Sequence, residues 1–130
     1  ARTTFFSFSV HGHVQPIWNV LDDTHYLPAQ IYATVVLPGC SKGPHMHKRR
    51  VGYFACVSGE AELILRSDES WGRMILRPGD PPVSVGVFVA CEIRCVSDEP
   101  AVLINMPNPA WSADEPDECP VEDWNPPEGK

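Results

Sequence analysis

A chain of 130 residues has the length of one domain with one core, and its formal net charge of −7 is unevenly spread. Residues 1–113 carry nine Lys or Arg against ten Asp or Glu, while residues 114–130 carry one Lys against seven Asp or Glu, so the acidity belongs to the tail. A nearly neutral body with no basic cluster larger than Lys48-Arg49-Arg50 argues against nucleic acid as the main partner. No apolar run approaches the roughly 20 residues of a membrane helix, and the amino terminus lacks a basic and then apolar leader pattern. The expectation is a soluble, cytoplasmic chain with no membrane partner. Cys40, Cys56, Cys91, Cys95 and Cys119 form no CxxC pair and no regular framework, which fits reduced thiols acting as small hydrophobes.

In chain order, the segment with Phe5, Phe6, Phe8 and Val10, and then 14–21, predicts one or two strands at an edge or across a subunit contact. Strand-like runs follow at 31–37, 53–57, 61–65, 74–76, 83–89, 92–96 and 101–105. Between them stand turn signals: Pro38-Gly39, Gly43-Pro44, Ser58-Gly59, the run 78–82 and Asp98-Glu99-Pro100. Helical periodicity is absent over any useful length, so the fold class is all-β, a sandwich or barrel. Nearly every residue of 83–89 is apolar or small, as in a strand covered on both faces. Beyond Met106, Pro107-Asn108-Pro109 predicts an end to regular pairing. The expected organisation is a barrel over residues 1–110 and an acidic, Pro-rich arm over 111–130. Trp111 and Trp124 predict that the arm docks, either on its own barrel or on a partner subunit.

The segment from Pro38 to His47 carries the chemistry. Residues two apart in a strand share a face, so His45 and His47 are expected to point together into the barrel, where two imidazoles hold a metal or divide acid and base roles. Gly39, His45, His47 and Gly59 resemble the glycine, paired histidines and distal glycine of the first cupin motif. The string Gly43-Pro44-His45-Met46-His47-Lys48, with Ser58-Gly59 downstream, is similar to the RmlC-like cupin branch of dTDP-sugar 3,4-ketoisomerases and dTDP-4-dehydrorhamnose 3,5-epimerase relatives. The likeness runs from about Gln30 to Glu118, and includes Ser97 to Asn108, similar to that branch's closing strand. It implies a single-domain, RmlC-like cupin jelly-roll β-barrel.

Two departures bear on cofactors. The acidic ligand of metal-binding cupins falls near Val51 or Gly52, and the histidine of the second cupin motif falls at Cys91. The expectation is therefore a metal-free site in which a histidine, with an ordinary pKa of about 6.5, removes a proton next to a carbonyl. The resemblance makes His45 the first choice of base, with His47 beside it as second base or enolate stabiliser. Tyr32 is an acid candidate by likeness to the ketoisomerases, and Tyr53 by sharing the predicted face of the histidines. A nucleotide-sugar substrate needs cations for its diphosphate, for which Lys42, Arg50 and Arg66 are candidates, with Cys91 and Glu92 as further substrate contacts. His11-Gly12-His13 has metal-like spacing without a third ligand and is assigned to a surface or edge strand.

The leading reading is an isomerase or epimerase for a keto-sugar nucleotide or another enolisable natural-product intermediate, which includes ring closure in a polyketide-like substrate. Two alternatives stay open: a transition-metal oxygenase using His45, His47 and Cys91, and a cupin that binds a small ligand without turning it over. The phenylalanine-rich amino terminus and the arm's tryptophans suggest a homodimer.

Overall fold

The computed structural model describes residues 7–9 (backbone), 11–18, 26–114 and 116–128. Phe5, Phe6, Val10 and residues 19–25 lie outside them. Eleven strands and no helix occur among the described residues: β1 (Ser7–Ser9), β2 (Gly12–Val14), β3 (Tyr32–Val36), β4 (Ser41–His47), β5 (Gly52–Ser58), β6 (Ala61–Ser67), β7 (Ser70–Leu76), β8 (Val83–Val85), β9 (Val89–Cys95), β10 (Ala101–Asn105) and β11 (Glu118–Cys119).

Every pairing is antiparallel. β1 and β2 make a hairpin of their own, β3-β10-β5-β8 form one sheet, and β11-β4-β9-β6-β7 form the other. Four of the five predicted turns join strands, whereas Gly43-Pro44 lies inside β4. Gly59 joins β5 to β6 at φ +66°, and a Cβ there would lie 2.4 Å from the carbonyl oxygen of Pro100, so only glycine fits. Asp68-Glu69 closes the tight β6–β7 hairpin, with Ser67 opposite Ser70.

Alternation along the strands decides where the barrel is filled and where it is open. In β5, Gly52 and Phe54 line a cavity while Cys56 enters the core; in β10, Asn105 lines the cavity and Leu103 and Ala101 are core. The closed end is packed by Val36, Cys56, Leu63, Leu76, Cys95 and Leu103 among others. The other end holds a cavity of about 400 Å³ between the sheets. Burying the large aliphatic residues of this core contributes about 1.5–3 kcal/mol each, which stabilises the closed end and leaves the open end to be lined by function.

Two expectations are corrected. The apolar run 83–89 is not one strand: β8 stops at Val85 and β9 begins at Val89, and between them Gly86-Val87-Phe88 carries the chain from one sheet to the other. Phe88 adopts φ +58° there and is exposed with Val87, so apolar composition alone misread a crossing as a strand. Nor does pairing end after Met106. Asn108 bridges Val51, and β11 in the tail pairs with β4, with Glu118 opposite His47 and Cys119 opposite Met46.

Candidate active site

β4 delivers the histidines, and its register is irregular where it matters. Opposite β9, the pairing shifts between Lys42 and His45. Gly43 permits the shift: its φ is +95°, and a Cβ would meet the Cys91 carbonyl oxygen at 2.7 Å. In an unbroken strand residues 42 and 45 face opposite ways, yet Lys42, His45 and His47 all line the cavity. Tyr32, Arg50, Cys91, Asn105 and Glu118 join them against an apolar wall that includes Val35, Phe54, Val85, Val89 and Ile93.

The tail supplies what the sequence reading lacked, a carboxylate for each histidine. Glu118 Oε2 lies 2.9 Å from His45 Nδ1, and both side chains are about half exposed, at 55% and 50%. Asp117 Oδ1 lies 3.2 Å from His47 Nδ1, in a pair only 9% and 17% exposed. Asp117 also accepts the backbone N–H of Arg50 at 2.8 Å and of Arg49 at 3.2 Å on Oδ2. Burial alone would raise its carboxyl pKa, but these N–H donors and His47 outweigh it and hold the pKa below the usual value. The second nitrogen of His47, Nε2, accepts from Arg50 Nη2 at 2.8 Å. Burial first, and then the Arg50 charge, push the His47 pKa down.

Tyr32 is set by Asn105. The backbone N–H of Tyr53 donates to Asn105 Oδ1 at 3.2 Å, which fixes the amide, so Asn105 Nδ2 donates to the Tyr32 oxygen at 2.7 Å. The Tyr32 hydroxyl hydrogen is thereby left for another acceptor.

Three candidates do not join the cavity. Tyr53 lies on the far face of β5 and stacks on Tyr26, with ring centroids 4.9 Å apart. Face parity counted from His47 fails because β4 and β5 belong to different sheets and 48–51 turns the chain between them. Arg66 is on the outer face of the five-stranded sheet, its guanidinium over Trp71 and Trp124 at 5.4 and 5.3 Å and its Nη1 donating to the Asp123 carbonyl. Glu92 faces the same way, accepting from Arg94 and from the Trp124 indole N–H at 2.8 Å. The arm thus docks through Trp124 on its own barrel, while Trp111 stays exposed. His11 and His13 are exposed on and beside β2, away from the lining, and His25 lies outside the described residues.

The donor set does not suit a metal ion at His45, His47 and Cys91. Both ring nitrogens of His47 are engaged. Burial, with Glu92 adding, pushes the Cys91 thiol up to about 12, the reverse of what a thiolate ligand needs. Among the described residues no three His, Cys, Asp or Glu side chains gather into a group that would hold an ion.

The two antiparallel sheets around an open-ended cavity form a jelly-roll β-barrel with the RmlC-like cupin fold. At the level of sequence, no protein family and no curated protein matches the chain. Solved structures share its fold. A dTDP-sugar isomerase from Desulfovibrio desulfuricans superposes with a TM-score of 0.81 at 17% identity, over 94% of this chain and 83% of that one. QdtA, a sugar 3,4-ketoisomerase from Thermoanaerobacterium thermosaccharolyticum in complex with TDP, gives 0.75 at 19% identity, over 92% and 85%. The capsular polysaccharide assembling protein CapF from Staphylococcus aureus gives 0.67 at 23% identity; the match covers 71% of this chain and 28% of CapF.

Proposed function

We propose that this chain is an isomerase or epimerase that enolises a keto-sugar nucleotide, with His45 as the base. The observation that carries the reading is the His45–Glu118 pair in the lining of the cavity. Glu118 as a carboxylate accepts from Nδ1–H, so the neutral ring keeps its lone pair on Nε2 for a substrate proton. Such a carboxylate sets the tautomer and stabilises the imidazolium that forms.

The reaction needs three further functions, and the lining has a residue for each. Tyr32, whose oxygen accepts from Asn105, is the acid that returns a proton. Lys42 is the cation for a substrate phosphate, and the apolar wall keeps water from the enolate. The structural likeness to a ketoisomerase holding TDP supports a nucleotide-sugar substrate. The cytoplasm is the proposed site of action and a homodimer the proposed assembly.

The test is solvent deuterium exchange with TDP-4-keto-6-deoxyglucose. Wild type should incorporate deuterium next to the ketone, and His45→Gln should lose on the order of 10³-fold, the scale of a positioned general base. Tight binding without any exchange in wild type would replace this reading with that of a binding protein.

A further inference from the structure

The two histidines of the site are not equivalent, and their hydrogen bonds say how they differ. A guanidinium stays charged and only donates. With Arg50 Nη2 2.8 Å from His47 Nε2, that nitrogen is an unprotonated acceptor. The neutral ring then carries its proton on Nδ1, which faces the Asp117 carboxylate. The other Asp117 oxygen takes the Arg50 backbone N–H, so the circuit runs from the Arg50 side chain through His47 and Asp117 back to Arg50. Protonating His47 would set two donors against each other. Burial and the Arg50 charge depress its pKa in the same direction, against the opposing pull of Asp117, just before β11, and of Glu118 in it. On the β9 side the neighbouring titratable group in the lining is Cys91, a neutral thiol.

A ring nitrogen held this way has no lone pair left for a substrate proton. Arg50 itself lines the cavity, and a guanidinium has five N–H donors, of which His47 takes one.

We infer that His47 is a positioning residue, its Nδ1–H held by Asp117 and its Nε2 accepting from Arg50, whose task is to fix Arg50 as the cation that stabilises the enolate oxygen. This rests on the enolising reading above. In the step, His45 Nε2 takes the proton from the carbon beside the ketone, and that C–H electron pair becomes the new C=C bond. The carbonyl π pair moves onto oxygen, where the Arg50 N–H groups meet the charge, and no proton passes through His47. The step is redox-neutral, and reprotonation on carbon releases the enolate.

The test has two arms on the full chain. Long-range ¹H–¹⁵N spectra without ligand should show His47 at pH 7 as one neutral tautomer protonated on Nδ1, and Arg50→Gln should raise its pKa. An Nε2–H tautomer or an imidazolium at pH 7 overturns the inference, and this readout needs no substrate. The second arm is deuterium exchange with TDP-4-keto-6-deoxyglucose. His47→Gln, whose amide oxygen still accepts from Arg50, should keep exchange within about fivefold, while Arg50→Gln should lose on the order of 10²-fold in kcat, the scale of one oxyanion donor, and Arg50→Lys should fall between. Loss of exchange in His47→Gln with retention in Arg50→Gln overturns the inference. If wild type enolises no keto sugar, the earlier reading fails, and the tautomer alone decides whether His47 is the neutral holder of Arg50.

Discussion

Asp117→Asn is a one-atom change with a calculable effect. The carboxylate accepts three hydrogen bonds and donates none: His47 Nδ1–H on one oxygen, and the Arg49 and Arg50 backbone N–H groups on the other. An amide has one acceptor oxygen, so in either orientation its NH₂ must face a donor. Facing Arg49 and Arg50, it abandons two backbone N–H groups at a side chain that is only 9% exposed. Facing His47, it forces the ring proton onto Nε2, against the Arg50 guanidinium. Losing a hydrogen bond to a charged group costs about 1.5–3 kcal/mol when its partner stays buried. The expected loss for Asp117→Asn is therefore about 2–3 kcal/mol, or a fall in Tm of roughly 8–12 °C for a domain of this size. Asp117→Ala, which strands all three donors but admits water, should cost about 3–4 kcal/mol by the same reckoning. Urea unfolding with unchanged m reads both. An Asp117→Asn protein within about 0.5 kcal/mol of wild type, the ordinary spread of a surface change, would refute the view that Asp117 is held by its donors.

Trp124→Ala should loosen the arm and leave the core intact: it removes the indole bond to Glu92 and the packing on Trp71 and Arg66. Hydrogen exchange should accelerate at Lys48, whose N–H is bonded to the Asp117 carbonyl, while core amides such as Leu63 stay protected. Gly59→Ala places a Cβ against the Pro100 carbonyl at a positive φ and should cost more than about 1 kcal/mol in a denaturation curve, whereas Gly72→Ala, with open space around it, should cost less. The pH dependence follows from the signs of the shifts. His47 is depressed in the fold, so its contribution is complete above about 6.5 and is lost as pH falls through its lower folded value. Asp117 and Glu92 are depressed too, and their contributions are present above about 4 and lost below it. Thermal melting should show two falling stages on acidification, the first absent in His47→Gln.

The parts of the fold that were legible are those where a two-residue period meets a strong turn. The predicted 101–105 coincides with β10, and 61–65 lies within β6, because Ser58-Gly59 and Asp98-Glu99-Pro100 bound them sharply. β7 starts four residues before the predicted 74, since Ser70, Trp71, Gly72 and Arg73 carry little apolar signal and are strand by pairing with β6. At the site, Tyr32, Lys42, His45, His47, Arg50 and Cys91 converge as lining residues, but two of these placements rest on tertiary geometry. Lys42 reaches the cavity only through the shift at Gly43, and Arg50 only through the turn that hands the chain to the other sheet. The carboxylates were hidden for another reason. Asp117-Glu118-Cys119 sits among prolines and acids with no periodicity, and two residues are too short a strand to announce themselves. The clue was indirect: Trp124 needed a place to dock, and its place on the sheet draws the preceding residues across β4.

Ten strands and the closed end of the barrel are assembled from residues that precede 106, whereas both carboxylates beside the histidines arrive from 117 and 118. Scaffold and charge distribution are thus written in separate stretches of sequence. Substitutions in 116–128 redraw the proton affinities and preferred tautomers inside the cavity at little cost to the packing of Leu63 or Leu103. A short segment of that kind, docked on the barrel and absent from its apolar core, gives one barrel a means to acquire different acid–base behaviour by exchanging a strip of chain.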